Sequence, residues 1–184
     1  MKLTTRDMTQ ISLFTVLSII GAKVSLPVLT VPFTLQFIIS LLTGIVLGAR
    51  RALMAQGLYL LMGLIGLPVF AKGGGPAYLL EPTFGYIVGM ALASGLVGLA
   101  ADRLDPQRSG LKPGRILAFN FLGLLIVYAT GLCDLYLILH GVAGQALPFL
   151  RLLQIGLWPF LINDSLYCLA AAWLGPRLRR LAPC

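Results

Sequence analysis

Two aspartates stand inside apolar stretches of this 184-residue chain: Asp164 in Phe160-Leu161-Ile162-Asn163-Asp164, and Asp134 in Gly131-Leu132-Cys133-Asp134. A carboxylate at the centre of a membrane helix costs about 2.5–3.5 kcal/mol on insertion scales, so such residues mark functional positions. The chemistry they offer is acceptance, taking N–H or O–H groups from a polar ligand head or from a neighbouring helix. Two more polar interruptions break otherwise apolar sequence, Val31-Pro32-Phe33-Thr34-Leu35-Gln36 and the glycine-rich run Lys72-Gly73-Gly74-Gly75. Together with the Asp164 segment these two interruptions point to a membrane protein that binds a small, polar-headed ligand.

Catalysis is a poorer reading. His140 is the only histidine and has no acid or nucleophile at a motif spacing, and neither GxSxG nor HExxH occurs. The glycine run is no phosphate loop, because Lys72 precedes the glycines and no Gly-Lys-Ser/Thr ending follows. Gly73, Gly74 and Gly75 read instead as a lid whose backbone can approach a ligand closely, with a plain turn as the alternative. Cys133, Cys168 and Cys184 are odd in number and scattered, so neither a disulfide framework nor a metal site is expected. No cofactor is implied.

The elements that must hold these residues are membrane helices. Apolar residues make up 58% of the chain and charged residues 11%, with a mean hydropathy of +0.93, far from soluble averages. Six apolar runs are expected to span, at 8–26, 35–49, 52–70, 83–101, 116–139 and 159–174, forming one domain over 1–184. The second and sixth, at about 15 residues, reach only some 22 Å against a hydrocarbon core of roughly 30 Å, which predicts a recess above them. The N-terminal run, with Lys2 and Arg6 ahead of it, reads as a retained first helix because Ile20-Gly21-Ala22 is a poor cleavage site.

Charge orients the bundle. Six spans put both termini on one side, and eleven of the fourteen basic residues fall there, leaving Lys23, Lys72 and Arg151 opposite. By the positive-inside rule both termini are cytoplasmic and the chain is multi-pass in a cell membrane. The net charge of +8 then reads as topology and attraction to anionic membrane lipid, not as nucleic-acid binding.

Depth follows from helix rise. Pro159 suits a first helical turn, which places Asp164 in the second turn, roughly 8 Å below the start. Asp134 lies 18 residues into an outward-running helix, about 27 Å up and close to the outer face. Both acids therefore belong to the outer half, where Asp164 has a structural hydrogen bond as its alternative role and Asp134 has simple hydration. The segment 147–157, carrying Arg151 and Gln154, is expected along the outer surface.

Four blocks carry a resemblance: Val31-Pro32-Phe33-Thr34-Leu35-Gln36, Leu47-Gly48-Ala49-Arg50, Gly66-Leu67-Pro68-Val69-Phe70-Ala71 with Gly73-Gly74-Gly75, and Pro82-Thr83-Phe84-Gly85-Tyr86. The sequence resembles the BioY family, the biotin-specific substrate-binding (S) components of energy-coupling-factor (ECF) transporters, from about residue 10 to 175. The resemblance implies an all-α integral membrane protein, a six-transmembrane-helix bundle of the ECF S-component type. It also implies a non-enzyme that holds biotin near the outer face and docks onto an ECF transmembrane coupling protein and a cytoplasmic ATPase pair. Carried over by position, Asp164 accepts the ureido N–H groups, Tyr86 belongs to the Pro-Thr-x-Gly-Tyr block with Thr83, and Thr34 and Gln36 precede the second helix.

The chain departs from the family pattern in three places. Tyr167 stands where a lysine is common, Ile162-Asn163 replaces a Pro-Gly pair, and Asp134 replaces an aromatic. The ligand carboxylate would then fall to Lys72, Arg151 or backbone N–H groups. Ser18 and Ala22, four apart on the first helix, are the expected docking face, with ordinary internal packing as the alternative. A subunit for another vitamin or biotin-like ligand, and a membrane enzyme or channel, are the readings to be set against this one.

Overall fold

Local chemistry fixes where the helices begin. Thr4 Oγ1 accepts the Asp7 N–H at 3.2 Å while the Asp7 carboxylate accepts the Thr4 N–H at 3.0 Å, a reciprocal cap that starts the first helix, α1 (Thr5–Lys23). The computed structural model describes residues 3–26, 33–142 and 148–182. After α1 come β1 (Ser25–Leu26) and β2 (Phe33–Thr34), an antiparallel pair of two residues each, then α2 (Gln36–Leu47) and α3 (Ala49–Leu64). A 3-10 turn at Pro76–Leu80 leads into α4 (Phe84–Leu104), followed by α5 (Pro113–Leu137) with a short π turn at its end, α6 (Phe149–Gly156) and α7 (Trp158–Leu181). Val31 and Pro32 of the first motif and Cys184 lie outside the described residues.

The described chain is helical apart from that strand pair. Among the described residues two helices are long and apolar enough to cross a membrane, Phe84–Leu104 and Pro113–Gly141, and a third counts if α6 and α7, bent by 45°, form one span. α2, at 12 residues, is the shorter apolar helix. Its shortness agrees with the expected recess. The sixth run does not: α7 is 24 residues long and continues through Pro176 instead of stopping near 174. Arg179, fully buried one turn beyond, holds that continuation in place by donating to the Ile45 carbonyl at 2.7 Å, to Asp102 at 2.9 Å and to the Asp105 carbonyl at 3.3 Å. The third run also ends early, because Gly66 adopts φ +108 and Pro68 follows, so Phe70 leaves the helix and caps it from the side.

α4 is central. Its residues are small on nearly every side, with Gly85, Gly89, Ala93, Ser94, Gly95, Gly98 and Ala101 all buried, as expected of a helix surrounded by others. α2 approaches so closely that a Cβ at Gly44 would lie 2.4 Å from the Ser94 carbonyl. α5, α3 and α2 pack around α4, α7 closes against α2 and α5, and α1 lies on α2 and α3.

Two ends of the bundle are chemically distinct. At one, Asp7 pairs with Arg51 at 2.9 Å, Arg179 with Asp102, and Arg108 with the Ala182 carbonyl, so both described chain ends meet the α2–α3 and α4–α5 joints there. Gly48, at φ +81, makes the α2–α3 joint, and the Asp102 carboxylate caps α3 by accepting the Ala49 N–H at 2.9 Å. The other end carries the glycine loop, the start of α4 and the α6–α7 joint.

Ser18 and Ala22 are not on an outer face. Both are fully buried, Ser18 accepting from the Gln56 amide at 3.3 Å and Ala22 packed with Tyr59, Phe70 and Tyr78. The four-residue spacing serves α1–α3 packing inside the chain, which corrects the expected docking role.

Candidate functional site

A cavity opens at the loop end of the bundle, with about 600 Å³ of atom-free space, part of it open to solvent. Its described wall comes from β2, α2, the glycine loop, α4, α5 and α7. Thr34 and β2 lead into Gln36 and Phe37 at the start of α2, and Ala71 and Tyr78 come from the glycine loop and its 3-10 turn. Thr83, Tyr86, Ile87 and Met90 come from the start of α4, Val127 and Tyr128 from α5, and Phe160 and Asp164 from α7.

Among the described residues Asp164 is the sole charged member of that wall. Its Oδ2 accepts the Tyr128 hydroxyl at 2.7 Å, a short charge-assisted contact that fixes the carboxylate between α5 and α7. One other polar atom in the wall, Thr83 Oγ1, is buried and makes no hydrogen bond to the described residues, while the Gln36 amide is turned to the Tyr59 hydroxyl. An unpaired buried polar group costs about 1–3 kcal/mol, and the Thr83 hydroxyl carries that cost at the cavity wall. The Gln36 side chain is held at the start of α2, where its own backbone N–H donates to Thr34 Oγ1 at 3.4 Å.

Tyr86 does a different job. Its hydroxyl donates to the Gly156 carbonyl at 2.9 Å, tying α4 to the α6–α7 joint, and its ring lies on Gly131, where a Cβ would come within 2.4 Å of it. The ring forms the wall and the hydroxyl is already used.

Several expected residues lie outside the wall. Asn163 and Tyr167 flank Asp164 on α7, half-buried, with Tyr167 packed against the main core. Lys72 is exposed and pairs with Glu81 at 3.2 Å, and Arg151 is exposed on α6. Asp134 is not merely hydrated: it accepts the Gly85 N–H at 2.8 Å and so caps the start of α4 from α5. The glycine run supports the wall from behind. Gly75 donates to the Gly63 carbonyl at 2.7 Å and Phe70 to the Gly73 carbonyl at 2.9 Å, so the turn is pinned, with the Tyr78 ring tilted by 48° against Phe70 at 4.5 Å between ring centroids.

Tyr128 is the polar residue that sequence reasoning missed. The signal was present, since a tyrosine in the body of an apolar helix needs an acceptor for its hydroxyl, but nothing in the sequence says that α5 faces α7 at that height. The apolar walls, Phe37, Ile87, Met90, Val127 and Phe160, carry no signal beyond general apolarity.

Comparison with known proteins adds to this geometry. Residues 1–183 match the family model described as "BioY family". The chain is 36% identical over 177 residues to a probable biotin transporter BioY of Lysinibacillus sphaericus, covering 96% of this chain and 88% of that one. It is 33% identical over 177 residues to the biotin transporter BioY of Thermotoga maritima, covering 96% and 97%. Its fold is similar to the crystal structure of the S-component for biotin from an ECF-type ABC transporter, with a TM-score of 0.82 and 24% identity over 97% of this chain and 95% of the other.

Proposed function

The chain belongs to the BioY family, and from that premise we propose that it is the biotin-binding membrane subunit for biotin uptake through an ECF-type transporter. It is a transport protein, not an enzyme, and lies in the cell membrane. In this reading α1 to α5 and α7 span, α6 lies along the outer surface, and the arginine-rich end with both termini faces the cytoplasm. The ligand is held near the outer face. Energy comes from a separate transmembrane coupling protein and a cytoplasmic ATPase pair, and no cofactor is required.

The observation that supports this reading best is Asp164, a lone carboxylate oriented by Tyr128 in a largely apolar cavity. Biotin presents a cyclic urea whose two N–H groups need acceptors, joined to a thiophane ring and an alkyl chain that need apolar walls. With Oδ2 engaged by Tyr128, Oδ1 of Asp164 takes a ureido N–H. Phe37, Ile87, Met90, Val127, Phe160 and the Tyr86 ring enclose the apolar parts, while Thr34, Gln36 and Thr83 provide polar contacts toward the mouth. Asn163 and Tyr167 support α7 beside the acid. The pinned glycine turn keeps Ala71 and Tyr78 against the opening.

The test is calorimetric titration of the purified protein with biotin and desthiobiotin, which share the cyclic urea. Both are expected to bind. If neither binds, the reading fails; if another vitamin binds in their place, the fold serves a different ligand.

A further inference from the structure

A second cavity lies at the arginine-rich end of the bundle, with about 1280 Å³ of atom-free space, part of it open to solvent. Its charged wall comes from distant parts of the chain. Asp7 belongs to the start of α1, Arg50 and Arg51 to the start of α3, Asp102 to the end of α4, Arg108 to the turn after it and Arg179 to the end of α7. None of these residues lines the cavity around Asp164.

Four guanidiniums share this wall with two carboxylates, an excess of two positive charges. Both carboxylates are already matched inside the wall, Asp7 by Arg51 and Asp102 by Arg179, each at 2.9 Å. Residues 1–2 and 183–184, next in sequence to it, add Lys2 and no acidic side chain. The gathered positive charge is therefore a repulsion that an anion in the cavity would relieve. Part of it lies below the surface, since Arg179 is fully buried and its Nε has no hydrogen-bond partner among the described residues. Salt screens charge at that depth poorly. The 16-residue helix α3 also begins at the wall, with Gly48, Arg50 and Arg51 lining it, and its N-terminal end adds positive potential on the same side although Asp102 takes the Ala49 N–H.

We infer that this cavity is a binding site for an anionic phosphate group, carried by a lipid headgroup or free in solution. Arginine suits that chemistry because its planar guanidinium donates two parallel N–H bonds to two phosphate oxygens. A basic pocket between transmembrane helices is also the form that lipid-headgroup sites take. A phosphate held here touches the start of α1, the α2–α3 joint, the end of α4 and the end of α7 at once, so its binding stabilises the fold. The site stands apart from the cavity around Asp164, whatever ligand that cavity takes.

The experiment measures lipid binding and thermal unfolding of the purified full-length protein in a neutral detergent, with phosphatidylglycerol, phosphatidylcholine and inorganic phosphate as probes. Phosphatidylglycerol is expected to bind at least about fivefold more tightly than zwitterionic phosphatidylcholine and to raise the unfolding midpoint. Arg50→Gln removes an exposed guanidinium that makes no side-chain hydrogen bond or ion pair among the described residues, and it should weaken phosphatidylglycerol by about fivefold. Arg115→Gln is the matched control, an exposed arginine at the same end but outside the wall, and should weaken it by less than about twofold. A midpoint raised by inorganic phosphate and not in Arg50→Gln, with no preference between the lipids, would assign the same site to free phosphate. Equal effects of Arg50→Gln and Arg115→Gln would mean attraction by net charge alone and overturn the site, as would phosphatidylglycerol and phosphate that neither bind nor stabilise.

Discussion

Replacing Asp164 with asparagine tests the site most directly. The carboxylate has two acceptor oxygens, one already engaged by Tyr128 at 2.7 Å, and asparagine keeps the outline but has one neutral oxygen and an amide donor. If the remaining oxygen keeps the Tyr128 hydroxyl, a ureido N–H is left facing an NH2 group. A hydrogen bond to a charged partner contributes about 1.5–3 kcal/mol net, so the dissociation constant for biotin should rise about tenfold to 150-fold. The assay is calorimetry in detergent at fixed pH, with thermal unfolding to confirm that the variant is folded. Asp134→Asn is the matched control, because that carboxylate caps α4 through the Gly85 N–H at 2.8 Å and does not line the cavity. Because asparagine keeps an acceptor oxygen for that N–H, the substitution should cost less than about 1 kcal/mol of stability and leave affinity within a factor of about three. An Asp164→Asn protein that binds biotin like the parent, or that is lost only because it no longer assembles, would refute the assignment.

Three other outcomes are expected. Arg179→Met removes a fully buried guanidinium from Ile45, Asp102 and Asp105; because Asp102 keeps partial exposure to solvent, the loss should be about 2–4 kcal/mol, measured by thermal unfolding, and an unchanged midpoint would deny the network its role. Gly75→Val forces a β-branched residue into φ +113, and with it the pinned turn behind Tyr78; both stability and biotin affinity should fall, and unaltered binding would reduce the loop to a connector. In a cysteine-free background, a membrane-impermeant thiol reagent should label Lys72→Cys from outside and Gln107→Cys only after permeabilisation, and the opposite pattern would invert the topology. Both positions are exposed at opposite ends of the bundle, whereas Gly74 is unsuitable because a Cβ there would lie 2.0 Å from the Leu67 carbonyl.

The sequence by itself determined the class of the protein and the neighbourhood of its site. Apolar content and run length are summed over many residues, so the helices at 36–47, 84–104 and 113–137 were legible, as was a separate short segment before the last helix. An acid in an apolar run is costly wherever it lies, which is why Asp164 and Asp134 could be singled out from residue type alone. Their different roles could not. Whether a carboxylate meets a cavity, as Asp164 does, or a helix N-terminus, as Asp134 does, depends on the rotation of α5 and α7 about their axes, which is set by the packing of α5 on α4 and of α7 on α2 and α5. Packing of α1 on α2 and α3 buries Ser18 and Ala22 inside the chain although their spacing suits an outer contact, and the facing of α5 and α7 brings Tyr128 to Asp164 across 36 residues of sequence. The length of α7 was decided at a distance as well: Pro176 signals a helix end, and Arg179 overrides it only because Ile45, Asp102 and Asp105 converge on it from α2 and the end of α4. Local signals fix what a residue can do, and tertiary contacts fix which of those things it does.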